Sequence, residues 1–212
     1  MAKAADKIKC ALIDYILATQ GPIKLIATEL PFLSGDRWAD IAVVKGEKII
    51  AYEVKSEKDT LSRLLNQIED YKQTFSEVYV VISKKFRHNQ QLKEVPRNIG
   101  ILQIDEQMLF THIRKPQHSN RLSLKYLSFF LWKDDLTKLF RNSKEIPTIQ
   151  LRSQAIKTLT RSRLFSIAIK AILTRYSGRF DVFMRERGKK TTIEDLRYLT
   201  TQDTGYHLSL EK

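Results

Sequence analysis

Two β-type runs, residues 38–45 and 48–55, are joined by nothing more than Gly46 and Glu47, and this constrains the chain more than any other feature. Gly46 supplies the positive φ that a two-residue hairpin turn needs. If Lys45 faces Lys48, the register is fixed along both strands. Asp40 then lies across from Glu53, with Cβ atoms about 5 Å apart on one face of the sheet. Because side chains alternate, Lys55 joins that face on a diagonal to Asp40, while Tyr52 and Val54 point into the opposite layer.

Two carboxylates facing each other on neighbouring strands repel, and a cation resolves the conflict. Hard oxygen donors at this spacing suit Mg²⁺ or Mn²⁺, which binds one or two carboxylates, keeps several waters and takes further oxygens from a phosphate. The backbone carbonyl of Val54 is a further expected ligand beside Asp40 and Glu53. With a metal there, Lys55 would steady a developing hydroxide or the charge building on a scissile phosphate. The alternative is an Asp-Lys-Glu salt-bridge cluster on an exposed sheet face.

The surrounding pattern predicts an α/β domain. Ile8, Ala11, Leu12, Tyr15 and Ile16 keep helical spacing within 4–19, and Gln20-Gly21-Pro22 ends that helix. A strand at 23–30 precedes the hairpin. Asp59 is expected to cap a helix whose apolar positions are Leu61, Leu64, Leu65, Ile68, Tyr71 and Phe75. Strands at 78–83 and 99–105 follow, separated by a basic loop and a short helix. The order α-β-β-β-α-β-α-β implies a mixed sheet flanked by helices. From about His112 the pattern turns helical, with segments expected at 120–141, 149–158, 162–176 and 192–200, the last opened by a Thr192–Asp195 capping pair. The chain thus divides into an α/β domain at 1–111 and a basic helical region at 112–212.

Charge points to the partner. Residues 1–111 carry 16 basic and 15 acidic side chains, and residues 112–212 carry 21 and 9, so nearly all of the +13 excess lies in the second half. Clustered Lys and Arg neutralise phosphates and release counterions, which favours nucleic acid over an acidic membrane surface or a merely solvated face. Lone Cys10 reads as a buried, inert thiol in a protein of the reducing cytoplasm. No apolar run reaches the roughly 18 residues needed to cross a bilayer. His88, His112, His118 and His207 lack zinc-ligand spacing, and there is neither a phosphate-binding Gly-rich loop nor a dinucleotide fingerprint.

The run W-A-D-I-A-V-V, followed after the hairpin by A-Y-E-V-K-S, resembles the PD-(D/E)xK nuclease superfamily. Asp40 stands at its first acidic position and Glu53-Val54-Lys55 at its E-x-K; Trp38-Ala39 replaces the name-giving proline. The likeness spans roughly 24–105 and is similar to a poorly characterised bacterial and phage branch. It implies a restriction-endonuclease-like core and a metal-dependent nuclease. It also implies that Glu29 holds metal through water, that Gln67 faces the active site as a catalytic residue beside Asp40, Glu53 and Lys55, and that Arg63 meets backbone phosphates; read alone, Glu29 is equally an exposed strand-end carboxylate and Arg63 a solvated helix charge.

In the basic loop, Lys84, Lys85, Arg87 and His88 are expected to rim a nucleic-acid channel, continued by Arg161, Arg163, Arg175, Arg179, Arg185 and Arg187. Residues 151–178 leave a helix-turn-helix open beside two ordinary amphipathic helices. Phe129, Phe130 and Trp132 read as core rather than as a base-stacking platform. The functional expectation is a Mg²⁺- or Mn²⁺-dependent nuclease acting on DNA, with a homodimer favoured if both strands of a duplex are cut. The competing readings are a DNA-binding protein that has lost turnover and a non-enzymatic protein whose basic helices dock an acidic partner.

Overall fold

The computed structural model describes residues 4–119, 122–141 and 143–201. Six strands form one mixed sheet in chain order: β1 (Leu25–Phe32), β2 (Arg37–Lys45), β3 (Lys48–Lys55), β4 (Glu77–Ser83), β5 (Gly100–Ile104) and β6 (Phe110–Arg114). The first three make an antiparallel meander, β3, β4 and β5 run parallel, and β6 returns antiparallel on β5. Parallel neighbours need a crossover, which α2 (Leu64–Thr74) supplies between β3 and β4, while the short α3 (Gln91–Glu94) lies in the connection from β4 to β5.

Helices cover both faces. α1 (Ala4–Thr19) buries Ile8, Leu12, Ile13 and Ile16, and the Gln20 side chain just beyond it donates to the Tyr52 hydroxyl at 2.5 Å. On the opposite face α2 buries Leu64, Ile68 and Tyr71, with Tyr71 packed edge-on to Phe32 at 4.9 Å between ring centroids. Central β3 is buried from Ile49 to Lys55, as expected of a strand covered on both sides.

The hairpin register is the expected one: Lys45 faces Lys48, and the pairing runs in step to Ile41 opposite Tyr52. Gly46 adopts φ +57° in the turn. Other boundaries differ. Asp59 does not cap α2; its carboxylate accepts from the backbone N–H and hydroxyl of Ser56, at 2.8 and 2.5 Å, and the helix starts one turn later after Arg63. This bond back to the residue three positions earlier satisfies the same acceptor locally. A sixth strand stands where the sequence pattern begins the helical region, because the Phe-Thr-His-Ile-Arg run of β6 pairs only with β5 and shows little apolar alternation.

The helical part is less regular than its spacing predicts. In place of one helix at 120–141 there are α4 (Leu124–Ser128) and α5 (Lys133–Thr137), broken at Phe129–Trp132; Asn120 and Arg121 lie outside the described residues. α6 (Thr148–Thr158) follows, then the 26-residue α7 (Arg161–Glu186), capped by the Thr160 side chain, and the short α8 (Leu196–Leu199). A second apolar cluster, Leu122, Leu127, Leu131, Leu136, Leu151, Ala155, Leu164 and Ala171, holds these helices together. α7 joins the two cores, sending Ala168, Ile172, Phe180 and Phe183 into the sheet's cluster. Among the described residues no helix is long and apolar enough to cross a membrane.

Candidate active site

Where β2 and β3 begin to separate, side chains replace the ladder. Asp40 is the residue beyond the last paired position, and its Oδ2 accepts the backbone N–H of Val54 at 2.8 Å. Glu53, only 5% exposed, is held at both oxygens: Lys55 Nζ donates to Oε1 at 2.8 Å and the Tyr71 hydroxyl to Oε2 at 2.7 Å. Gln67, one turn ahead of Tyr71 on α2, accepts from Lys55 Nζ at 2.9 Å. The four residues expected to do chemistry, Asp40, Glu53, Lys55 and Gln67, therefore converge. Burial, and then the nearby Asp40 carboxylate, push the Glu53 carboxyl above the usual carboxylate range against the opposing pull of Lys55 and Tyr71.

Glu29 takes another direction. It adopts φ +53°, a conformation that costs a non-glycine residue energy, and it interrupts the otherwise continuous pairing between Thr28–Ile41 and Leu30–Ala39. Its carboxylate pairs with Lys9 of α1, and Lys9 Nζ also lies 3.2 Å from Asp40 Oδ1. Thr201 fixes this backbone from outside, its N–H donating to the Thr28 carbonyl at 3.0 Å and its hydroxyl to the Glu29 carbonyl. Burial works against the Lys9 ammonium, but Asp40 and Glu29 outweigh it and raise its pKa above the ordinary lysine value.

Lys9, Tyr71 and Thr201 join the site without a motif to announce them. A lysine at a helical core position is a weak signal of its own, although Lys9 does fall within the buried stripe of α1, beside Ile8 and Leu12. Helical spacing places Tyr71 only in the apolar stripe of α2. Its hydroxyl, which reaches Glu53 and the Trp38 carbonyl at 3.2 Å, is what ties that stripe to the site.

Two carboxylates and the Val54 carbonyl are hard oxygen donors of the kind Mg²⁺ and Mn²⁺ prefer. Glu53 is buried and Asp40 lies beside it, and such an ion would offset the charge of both carboxylates. Among the described residues, however, no three His, Cys, Asp or Glu side chains stand together as a ligand set. The donors thus fit a cation that keeps water and takes substrate oxygens, rather than a closed protein cage.

The expected nucleic-acid contacts divide into two groups. Arg63 at the start of α2, Lys84, Lys85 and Arg87 around the turn after β4, and Arg163 near the start of α7 are all exposed. Arg161 Nε donates to the Leu122 carbonyl at 2.8 Å. Three others are committed inside the molecule: Arg175 to Asp135 at 2.6 Å and the Phe130 carbonyl, Arg179 to the Thr200 carbonyl at 2.8 Å, and Arg187 to Asp14 at 2.5 Å. Phe130 is core, whereas Trp132 is 57% exposed and lies under the Arg175 guanidinium at 4.5 Å. His207 lies outside the described residues.

The fold and this cluster define an α/β protein with a six-stranded mixed sheet, a buried acid–lysine group at a strand divergence and a C-terminal helical region. The profile of the family described as Bacteriophage P4 protein cII matches residues 2–200, so the chain belongs to that family. A curated relative is "Protein cII" of Enterobacteria phage P4, 28% identical over 207 residues, covering 92% of this chain and 77% of the relative. No solved structure matches. The resemblance to the PD-(D/E)xK superfamily is thereby corrected: the family that spans the chain is the cII family. An acidic residue and an E-x-K on one hairpin form a short pattern, which two adjacent inner strands of a lysine-rich chain can present without membership.

Proposed function

We propose that this protein is a divalent-metal-dependent phosphodiesterase acting on DNA, with Asp40, Glu53 and Lys55 at its centre. One observation carries the reading: a buried glutamate, a facing aspartate and a lysine steadied by a helix glutamine meet where two strands part. Asp40, Glu53 and the Val54 carbonyl would hold the cation, with Glu29 reached through water. When bound, the ion supplies Lewis acidity that activates water and offsets charge on the phosphate. The remaining work belongs to the chain. The Val54 N–H fixes the Asp40 carboxylate, Tyr71 fixes Glu53, and Gln67 aims the Lys55 ammonium at the charge that grows as water oxygen joins phosphorus and the ester P–O bond breaks. Exposed Arg63, Lys84, Lys85, Arg87 and Arg163 grip backbone phosphates without selecting sequence. We further propose that the sheet and its two covering helices form a core of the restriction-endonuclease kind, as an architectural reading independent of family.

A second reading has its own support. The four carboxylate oxygens of Asp40 and Glu53 each meet a protein cation or donor, so the cluster could be a finished ion-pair network in a DNA-binding protein without turnover. Supercoiled, linear, single-stranded and branched DNA incubated with Mg²⁺, Mn²⁺ or EDTA separates the two. Metal-dependent cleavage by wild type that disappears in folded Asp40→Ala, Glu53→Ala and Lys55→Ala variants supports hydrolysis. Salt-sensitive binding with every DNA left uncut supports the second reading.

A further inference from the structure

Lys9 is a site residue that neither the hairpin pattern nor the proposed chemistry uses. It is a lysine with 6% exposure, on the buried face of α1 between Ile8 and Cys10. Burying an ammonium is costly unless it is paired, and this one is paired twice, with Glu29 and with Asp40 Oδ1 at 3.2 Å. Its reach depends on two further devices. The left-handed backbone at Glu29 breaks the strand alternation, and Thr201 anchors the Glu29 carbonyl from the far side of β1. Three separate stretches of chain thus converge to set a positive charge against the aspartate that the proposed reaction needs for a divalent ion.

We infer that Lys9 is the resident counter-cation of the site, and that it and a divalent metal ion compete for Asp40. The inference rests on the metal-dependent reading above and gives it a loading step. Without metal, the ammonium offsets part of the negative charge that the half-buried Glu29 and Asp40 carboxylates share. A metal ion on Asp40 would sit within a few ångströms of that ammonium, and like charges at that range repel strongly where water is scarce. Loading therefore requires Lys9 to withdraw toward Glu29, which remains as its partner. Glu29 accordingly serves first as the residue that receives Lys9, and the threshold for metal is set by a helix outside the sheet.

The test is Mn²⁺ binding by titration calorimetry, together with thermal melting in EDTA and in MnCl₂, on the full chain. The variants are Lys9→Met, Lys9→Gln and Asp40→Asn. Lys9→Met is expected to melt lower than wild type in EDTA, to gain more than wild type from Mn²⁺, and to bind Mn²⁺ roughly tenfold more tightly. Asp40→Asn is expected to lose binding. Equal or weaker Mn²⁺ affinity in Lys9→Met, with binding intact in wild type, overturns the competition while leaving the metal-dependent reading in place. Binding in neither wild type nor the lysine variants removes both. If Lys9→Met and Lys9→Gln both fail to fold even with Mn²⁺, Lys9 is a fixed strut and the inference falls.

Discussion

Glu53 is the residue whose surroundings cost the most. It is buried, faces another carboxylate, and its carboxyl is pushed above the ordinary range in spite of Lys55 and Tyr71. The sign follows from linkage: a carboxyl with a raised folded-state pKa binds more protons folded than unfolded. Stability is therefore lost as pH rises from the unfolded carboxylate value through the folded one. Glu53→Gln should abolish cleavage and remove the fall in stability with rising pH that the raised carboxyl contributes, read as melting temperature against pH. Tyr71→Phe should destabilise, costing about 1–3 kcal/mol in urea melts by leaving Glu53 Oε2 and the Trp38 carbonyl without their shared donor. Cys10 is pushed up to about 11, chiefly by burial and then by Asp14 and Asp6. It should resist alkylation at pH 8 until the chain is unfolded, and rapid labelling of the native protein would contradict its buried, protonated state.

At the scale of elements, legibility follows the length and regularity of the pattern. The hairpin is readable to the residue because a two-residue turn and a period of two leave one register. β4, β5 and α2 are readable from their apolar spacing. The break between α4 and α5 is not, because Leu124, Leu127, Leu131 and Leu136 suit a continuous helix as well as two short ones. Tertiary structure decides: Arg175 reaches the Phe130 carbonyl and Asp135, and the Asp135 carboxylate accepts the Trp132 N–H at 2.9 Å, fixing the turn between the helices. Arg175→Met should cost about 1–3 kcal/mol, the range for lost hydrogen bonds to a partly covered charged group that keeps the Trp132 N–H, and should alter the fluorescence of Trp132 before global unfolding. An unchanged spectrum would show that the turn does not depend on this clamp. Lys9 is illegible for a related reason, since its role exists only once α1 is laid against the diverging strands.

For the whole molecule, the two apolar cores share α7, so the helical region is braced on the sheet while its charged surface stays in water. Arg163 and Lys170 are both exposed on α7, seven residues apart and hence near one another in angle around the helix. If that face follows a phosphate backbone, Arg163→Ala with Lys170→Ala should weaken binding to all DNA sequences alike. It should also flatten the plot of log affinity against log salt, its slope falling by roughly one for each phosphate no longer neutralised. Weakening confined to one sequence would instead indicate base reading by α7. The basic half is legible from charge alone, but the division of its arginines is not. Arg175, Arg179 and Arg187 serve as internal struts, and a charge count treats them like Arg163.

The measurement that bears most directly on the central claim is single-turnover cleavage of plasmid DNA in Mg²⁺ by wild type and by Asp40→Asn, with folding of both confirmed by circular dichroism. The account predicts cleavage by wild type that EDTA stops, and a loss of at least about a hundredfold in the variant, in line with removing a group that stabilises charge in the transition state. Equal rates in the two proteins, or intact DNA with both, would contradict it.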